Sequence, residues 1–283
     1  MMAVQQQLIA SGKKVSVSKL CRWLGLARST AYYQPRQRAP RRVDKALKSQ
    51  IKAVIEKEPA CGVRGVWSRL RFRDGLLVNR KKVHRIMKLS GWTLPQRRAG
   101  RRPRVSQWKS IAAHPNHRWA TDLAMVHCGK DGWCVFVPVI DCCTREVLGS
   151  ALEETGRAKT AERALEEALL QRFGTLRNAP SGMRIRHDNG LVFGSRQFRA
   201  VIRDYGLQQE YITPYTPQQN RLCERFIRTF KEECCWVQRF RSLDHARSVI
   251  TAWLHDYNHR RPHQSLDYLT PTKYYQKRCQ QAA

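Results

Sequence analysis

Three consecutive strand patterns joined by short turns restrict the fold of this chain more than any other feature of its sequence. RWATDLAMVHC (118–128) predicts a strand, GKDG predicts its turn, and WCVFVPVID (133–141) predicts the antiparallel partner. EVLGSALE (146–153) predicts a third strand, after which amphipathic helix patterns alternate with short strand patterns. This order predicts an α/β layer fold with a five-stranded mixed sheet flanked by helices.

The charge of the chain indicates the class of its partner. Its 283 residues include 53 Lys and Arg against 22 Asp and Glu, a formal net charge of +31. Such an imbalance favours a polyanion, with nucleic acid ahead of an anionic membrane. The longest apolar run, WCVFVPVI, is far shorter than the roughly 20 residues that span a bilayer. The first residues lack the apolar stretch of a signal peptide, so the ten cysteines are expected to be reduced thiols in the cytoplasm.

Composition divides the chain into four predicted segments. Residues 1–40 carry two short helix patterns around Gly25, which fit either a helix-turn-helix or a plain helical hairpin. Residues 41–95 predict a second helical, DNA-binding-like unit. Residues 96–115 form a basic linker punctuated by Pro and Gly, and residues 116–275 hold the α/β domain and a helical tail.

Basic residues concentrate in the second and third of these segments. In RKKVHRIMKL (80–89) the apolar positions recur at helical spacing, which leaves the basic side chains on the opposite face. A solvated basic face is one interpretation, but the net charge favours contacts with phosphates. The candidate DNA contacts are Lys81, Lys82 and Arg85 in this helix, and Arg98, Arg101 and Arg102 in the linker.

Three carboxylates are candidates for a chemical role because of their positions in the predicted elements. Asp122 lies in the first strand pattern, Asp188 ends the fourth, and Glu224 lies on the helix after the fifth, with thirty-five residues between it and Asp188. Asp122 stands in an otherwise apolar strand, where a half-buried carboxylate is costly unless a cation meets it. Taken singly, each acid also fits a surface role, and Glu224 has Arg228 one helical turn away as a candidate ion-pair partner.

The motifs around these acids carry a family resemblance. RWATDLAMV, RHDNG, NRLCERFIRTFKEE and YNHRRPHQSLDYLTPTKYY resemble the DDE transposases and retroviral-type integrases, most closely the OrfB product of bacterial insertion sequences. The resemblance spans about residues 60–275. It implies a ribonuclease H-like catalytic core preceded by small helix-turn-helix-like units. It also implies Mg²⁺-dependent cleavage and strand transfer at element ends, with Asp122, Asp188 and Glu224 as catalytic residues and metal ligands.

The chemistry of phosphoryl transfer agrees with those residue types. Two Mg²⁺ ions, for which Mn²⁺ can substitute, activate the attacking oxygen and neutralise the leaving one, and hard carboxylate oxygens are their preferred ligands. Helical spacing puts Glu224, Arg228 and Lys231 on one face, with Leu222, Phe226 and Phe230 anchoring another. We therefore expect Arg228 and Lys231 to contact DNA phosphates. Arg221, which replaces the glycine usual in the family, adds charge at the start of this helix and is a further DNA candidate.

The resemblance also implies partners and a location. These are the terminal inverted repeats and target DNA, a companion upstream OrfA product that is often fused by frameshifting, and further copies of the chain in a synaptic complex. The implied location is the bacterial cytoplasm, associated with the nucleoid. Two alternatives stay open: a catalytically silent DNA-binding regulator, and a ribonuclease H-like nuclease without strand transfer. In the tail, His259, Arg260 and Arg261 are placed near DNA as a hypothesis.

Overall fold

The computed structural model describes residues 2–34, 43–95, 112–213 and 217–282. The chain divides between Val43 and Asp44 into two compact units. The first unit contains the helices α1 (Met2–Ala10), α2 (Val17–Trp23) and α3 (Arg28–Ala31). The turn after α2 passes through Gly25, whose φ of 62° lies in the left-handed region that favours glycine. The two short helices expected around Gly25 are therefore present.

The second unit begins with three helices around a small apolar core. They are α4 (Lys45–Lys57), α5 (Val63–Ser68) and α6 (Arg80–Leu89). The last turn of α5 widens into a π-helical turn, Arg69–Arg73. Asn79 caps α6 by accepting a hydrogen bond from the Lys81 amide at 2.8 Å. The buried face of α6 is the one that its sequence pattern predicts, because Val83, Ile86 and Met87 point inward.

A mixed sheet forms the centre of the unit. Its strands are β1 (Arg118–Thr121), β2 (Ala124–His127), β3 (Trp133–Asp141), β4 (Val147–Glu153), β5 (Arg184–His187) and β6 (Gln208–Tyr211). Strand β3 pairs antiparallel with β1, β2 and β4, whereas β5 pairs parallel with both β1 and β6. The predicted fold class, a mixed α/β sheet with flanking helices, is confirmed.

The predicted strand count is wrong by one because the first strand is interrupted. Strands β1 and β2 pair with successive parts of β3, Thr121 lying opposite Val139 and Ala124 opposite Phe136. Asp122 and Leu123 fall between them, outside the ladder, so the described residues form six strands instead of five. Interrupted pairing frees the backbone around Asp122 from the regular alternation of a strand.

Helices cover both faces of the sheet. The helices of the α/β domain are α7 (Ala158–Phe173), α8 (Leu191–Gly194), α9 (Arg196–Asp204), α10 (Arg221–Phe230), α11 (Leu243–His259) and α12 (Pro271–Ala282). One face packs Phe136 against Phe230 of α10 and Ile250 of α11. The other face packs Trp119 with residues of α7 and α9. Helix α10 continues directly into a π-helical turn, Lys231–Cys235.

The tail is tied to the sheet by a polar clamp. The side chain of Asn258 accepts a hydrogen bond from the Val147 amide at 3.0 Å and donates one to the Val147 carbonyl at 2.7 Å. This clamp fixes the end of α11 at the start of β4. No helix within the described ranges is long and apolar enough to cross a membrane. The ten cysteines, all within those ranges, are free thiols.

Candidate active site

Asp122 occupies the interruption between β1 and β2. Its Oδ1 accepts a hydrogen bond from the Leu123 amide at 2.8 Å, and Asn220 Nδ2 lies 3.5 Å from Oδ2. Burial, followed by the negative charges of Asp188 and Glu224, raises the pKa of Asp122 to about 6, against the opposing effects of the Leu123 hydrogen bond and of Lys231. The three predicted acids, from three separate elements, are therefore near enough to influence one another.

Asp188 follows β5 and is held by its neighbours. Its Oδ1 accepts the Gly190 amide at 3.0 Å. A Cβ on Gly190 would lie 2.9 Å from that same oxygen, so a larger residue there would make the Asp188 carboxylate shift. His187 is fully buried, with Nδ1 2.6 Å from the Asp188 carbonyl and Nε2 2.8 Å from the amide nitrogen of Gln209. Both ring nitrogens are thus used, and His187 orients the Asp188 backbone.

Glu224 projects from the solvent-facing side of α10. The buried side of that helix consists of Cys223, Phe226 and Phe230. Cys223 thus takes the anchoring place that the sequence reading gave to Leu222, which is only half-buried. Burial raises the pKa of Glu224 above its usual range, while Arg221 acts in the opposite direction.

The ion pair between Glu224 and Arg228, open as the simpler alternative, is not formed. Arg228 Nε instead contacts Glu232 Oε1 at 3.0 Å, one turn in the other direction. Among the described residues, Asp122, Asp188 and Glu224 form no ion pair. Lys231 and Arg221 act on these acids only at longer range, which is unusual for neighbouring carboxylates in a chain with a net charge of +31.

The donor set suits a hard divalent cation. Carboxylate and amide oxygens are the ligands that Mg²⁺ prefers, and Asn220 adds a buried Oδ1 that has no hydrogen-bond partner in the described structure. No group of three His, Cys, Asp or Glu side chains in the described ranges is arranged closely enough to hold a metal ion as it stands. Binding by these residues would therefore require the carboxylates to approach one another, and Glu224 is the exposed one of the three.

A network of charged side chains positions the start of α10. Arg186 donates from Nη1 to the Gln219 carbonyl at 2.7 Å and from Nη2 to Glu210 at 2.5 Å. Glu210 also accepts from Arg118 Nε at 2.6 Å. The sequence analysis did not identify these residues as part of the site. The alternation of residues in RIRH could have indicated Arg186, because it places this buried arginine on the face opposite Ile185 and His187.

The predicted DNA contacts differ in their surroundings. Lys231 is half-buried and close enough to lower the pKa of Asp122, whereas Arg221 is exposed beside Glu224. In α6, Lys81 is exposed and Arg85 is half-buried. Lys82 pairs with Asp44, the Nζ and Oδ2 atoms lying 2.8 Å apart. Arg98, Arg101 and Arg102 lie outside the described residues, and DNA contact by any of these residues stays a prediction.

Family comparisons agree with this arrangement. Two family models described as integrase core domain match residues 112–217 and 205–271, and a model described as HTH-like domain matches residues 42–100. The integrase core matches contain the three carboxylates, and the HTH-like match contains α4, α5 and α6.

Similar proteins occur in insertion elements. The 31.7 kDa protein of insertion element IS407 from Burkholderia multivorans is 28% identical over 265 residues, covering 93% of this chain and 92% of its relative. The transposase InsD of insertion element IS2D from Escherichia coli is 28% identical over 286 residues, covering 96% and 94% respectively.

Solved structures with partial similarity are retroviral. The simian T-cell lymphotropic virus intasome in complex with a PP2A regulatory subunit matches with 16% identity and a TM-score of 0.47, over 80% of this chain and 74% of that one. The HTLV-2 integrase catalytic core domain in complex with magnesium matches with 19% identity and a TM-score of 0.43, over 58% and 98%. By these matches the chain carries an integrase core domain preceded by an HTH-like domain, and it is similar along almost its whole length to insertion-element proteins that include a transposase.

Proposed function

We propose that this transposase cleaves DNA at the ends of its insertion element and joins the resulting 3′-hydroxyl to a new phosphate, with Asp122, Asp188 and Glu224 as its catalytic residues. The observation that supports the proposal is that Asp188 and Glu224 both raise the pKa of Asp122, which together with burial reaches about 6, while none of the three acids forms an ion pair among the described residues. A bound cation would stabilise their ionised forms.

The three carboxylates would hold two divalent cations, with Mg²⁺ as the expected ion and Mn²⁺ as a substitute. When bound, such ions activate an attacking oxygen and stabilise the leaving oxygen of an in-line displacement at phosphorus. In this proposal Asp122 takes part in both sites, while Asp188 and Glu224 each complete one. Lys231 and Arg221 lie beside the acids and would contact the phosphates that flank the reacting bond.

DNA is the proposed partner of the helical segment as well. The exposed cations of α6, with Lys81 among them, face solvent opposite the buried stripe of that helix. They would bind the backbone of the terminal inverted repeats by charge. Further proposed partners are target DNA, other copies of this chain in a synaptic complex, and a companion OrfA product, either separate or fused by frameshifting. A bacterial cytoplasmic location, associated with the nucleoid, belongs to the same proposal.

The proposal is tested with purified protein and labelled duplex DNA that carries the end of the element encoding this chain. Cleavage and joining are measured with EDTA, with Mg²⁺ and with Mn²⁺, for the unaltered chain, Asp188→Asn and Glu224→Gln. We expect products only with a divalent cation and only from the unaltered chain, while all three proteins bind the duplex equally.

Each alternative function has its own outcome in this assay. Binding without any product from the unaltered chain would favour the silent regulator. Cleavage without joining would favour a nuclease. Joining by either variant at the unaltered rate would remove these carboxylates from the catalytic assignment.

A further inference from the structure

The end of the catalytic helix touches the HTH-like helices through a row of alternating charges. Arg69 lies in the π-helical turn after α5 and is 4% exposed, so its guanidinium needs acidic partners. One partner is Glu58 at the end of α4. The other is Glu233, nine positions after Glu224, whose Oε2 lies 4.0 Å from Arg69 Nη2. A charge inside the helical segment is therefore neutralised in part by the helix that carries a catalytic acid.

Glu233 is in turn held by the tail. Arg261 donates to both of its oxygens, from Nε at 2.8 Å and from Nη2 at 2.6 Å. This bidentate pair is geometrically the most specific form of a charged contact. The side chains of Glu233 and Arg261 are each 22% exposed, so the pair is shielded from solvent. These donors of Arg261 are thus directed at Glu233, and a position of Arg261 near DNA stays a prediction.

Two residues that follow Arg261 contact α5 and the turn after it. Arg64 Nη1 donates to Gln264 Oε1 at 2.6 Å. The ring of Tyr268 stacks on Phe72, with centroids 4.7 Å apart and planes 5° from parallel, and meets Trp67 edge-on at 5.3 Å. We call residues 261–268 the strap, because Arg261 joins it to the turn after α10 while Gln264 and Tyr268 join it to α5 and the turn that follows α5.

Backbone conformation shows that the strap is held in a specific shape. Asp267 and Tyr268 have φ values of 53° and 62°, consecutive left-handed positions that non-glycine residues rarely adopt. Such conformations cost about 1 kcal/mol or more each and persist only when surrounding contacts enforce them. Here the aromatic contacts of Tyr268 supply that enforcement. A loosely packed tail would not retain this geometry.

We propose that the strap couples the HTH-like helices to the catalytic helix, with Glu233 as the positioning residue of the coupling. This inference rests on the proposed function: DNA held by the basic face of α6 would enter the acidic site in a fixed register because Glu233, Arg261 and Arg69 lock both elements together. Glu233 touches neither DNA nor the reacting atoms. Its removal should therefore affect the advantage that internal DNA contacts give to the reaction, and not the reaction itself.

The test compares two duplexes with the full-length chain. A short duplex carries only the terminal base pairs of the element, and a long duplex continues inward by about two helical turns, roughly 21 base pairs. For the unaltered chain we expect faster joining with the long duplex at saturating DNA. In Glu233→Gln the ratio of long to short rates should fall about tenfold, in the range of coupling between contacting residues. The affinity for the long duplex and the rate on the short one should stay unchanged.

A second variant keeps the test independent of any folding defect in Glu233→Gln. Tyr268→Gly removes the aromatic contacts yet suits the left-handed backbone, and it should lower the same ratio. Asp267→Gly is its matched control, since it changes the neighbouring left-handed residue without removing a ring. Glu56→Gln, at an exposed pair with Lys52 on α4, is the control for loss of an acid. Both controls should behave like the unaltered chain.

The outcomes separate the coupling from the proposed function. An unchanged ratio of long-duplex to short-duplex joining rates in either variant would overturn the coupling, and this includes equal losses of rate on both duplexes. If the unaltered chain joins neither duplex, the proposed function fails and X-ray scattering of the DNA-free protein decides on the coupling. A larger radius of gyration in both Glu233→Gln and Tyr268→Gly, but in neither control, supports it. Scattering identical to that of the unaltered chain overturns it.

Discussion

Helix α10 and its π-helical continuation carry acids on two flanks, and the two flanks are built differently. On one, Glu224 is exposed, has no ion pair among the described residues, and lies near two further unpaired acids. On the other, Glu233 accepts two hydrogen bonds from Arg261 and lies 4.0 Å from Arg69. Both flanks share one helix and one basic chain. Their difference shows that position, and not the availability of cations in the sequence, decides which acids remain unpaired.

The paired flank resembles other structural acids of this chain. Burial favours the protonated form of Glu210, yet hydrogen bonds and charge from Arg186 and Arg118 bring its pKa below the usual range. Asp122 experiences a similar loss of solvent without any guanidinium, and its pKa rises to about 6. A buried acid without a cationic partner lowers the stability of the fold, and binding of a further cation would remove this penalty.

Asp122→Asn should have the largest effect, because it should lower activity while raising the stability of the metal-free protein. We expect DNA joining to fall by at least about a thousandfold, because several kcal/mol of transition-state stabilisation would be lost with a shared metal ligand. The free energy of unfolding without metal should instead rise by about 1 kcal/mol at neutral pH, since an ionised carboxylate with a raised pKa is removed.

The two measurements are product formation on labelled DNA and urea unfolding in EDTA. Joining that remains within about tenfold of the unaltered rate would contradict the assignment of Asp122. A matching drop in stability would show that the acid is structural, like those of the paired flank.

Arg261→Met tests the paired flank by leaving Glu233 without its bidentate donor. Removing one partner of a shielded ion pair costs about 3 kcal/mol, which urea unfolding would detect as a lower midpoint. The adjacent Arg260→Met is the matched control, because Arg260 is exposed and only 3.5 Å from Asp256 in a surface pair. That change should alter stability by less than about 0.5 kcal/mol. Equal effects of the two substitutions on the unfolding midpoint would show that the Glu233–Arg261 pair stabilises the fold no more than a surface pair does.

Sequence patterns predicted one flank far better than the other. The three acids could be found because strand ends and helical spacing place them on known elements, and because their motifs resemble a family. Contacts of the paired flank join residues distant in the chain, since Glu233 meets Arg69 and Arg261 only after folding. Nothing local distinguishes Glu232, the partner of Arg228, from Glu233 beside it. The interruption at Asp122 was also missed, because an apolar run with strand propensity continues through it.

Gly65→Ala probes a close approach that supports the position of Arg69. A Cβ at Gly65 would lie 2.4 Å from Cys61 Sγ and 3.3 Å from Arg69 Nη1. Alanine favours helices, but overpacking here should cost about 2 kcal/mol and outweigh that gain. Cys61→Ala removes the sulfur, so the double variant should be more stable than the sum of the single changes allows. Additive losses in urea unfolding would show that the sulfur contact does not matter.

The smallest expected effect concerns stability and pH: ionised Glu233 and ionised Glu224 should change the free energy of unfolding in opposite directions. Burial works against ionisation of Glu233, but hydrogen bonds and charge from Arg261 prevail and lower its pKa below 4.5. Ionised Glu233 therefore contributes stability that is fully present above pH about 4.5 and is lost as pH falls through the lowered pKa. The deficit of Glu233→Gln relative to the unaltered chain should accordingly shrink in acid.

Glu224 should behave in the opposite way, because burial raises its pKa above 4.5 and Arg221 only partly compensates. Its ionised form weakens the fold above the raised pKa, and this penalty disappears below the unfolded value, near pH 4.5. In EDTA, Glu224→Gln should thus be slightly more stable than the unaltered chain at neutral pH and indistinguishable from it near pH 4. Unfolding midpoints at both pH values measure the two differences. If both variants were destabilised at neutral pH, Glu224 would be a structural acid like Glu233, and the contrast between the flanks would fail.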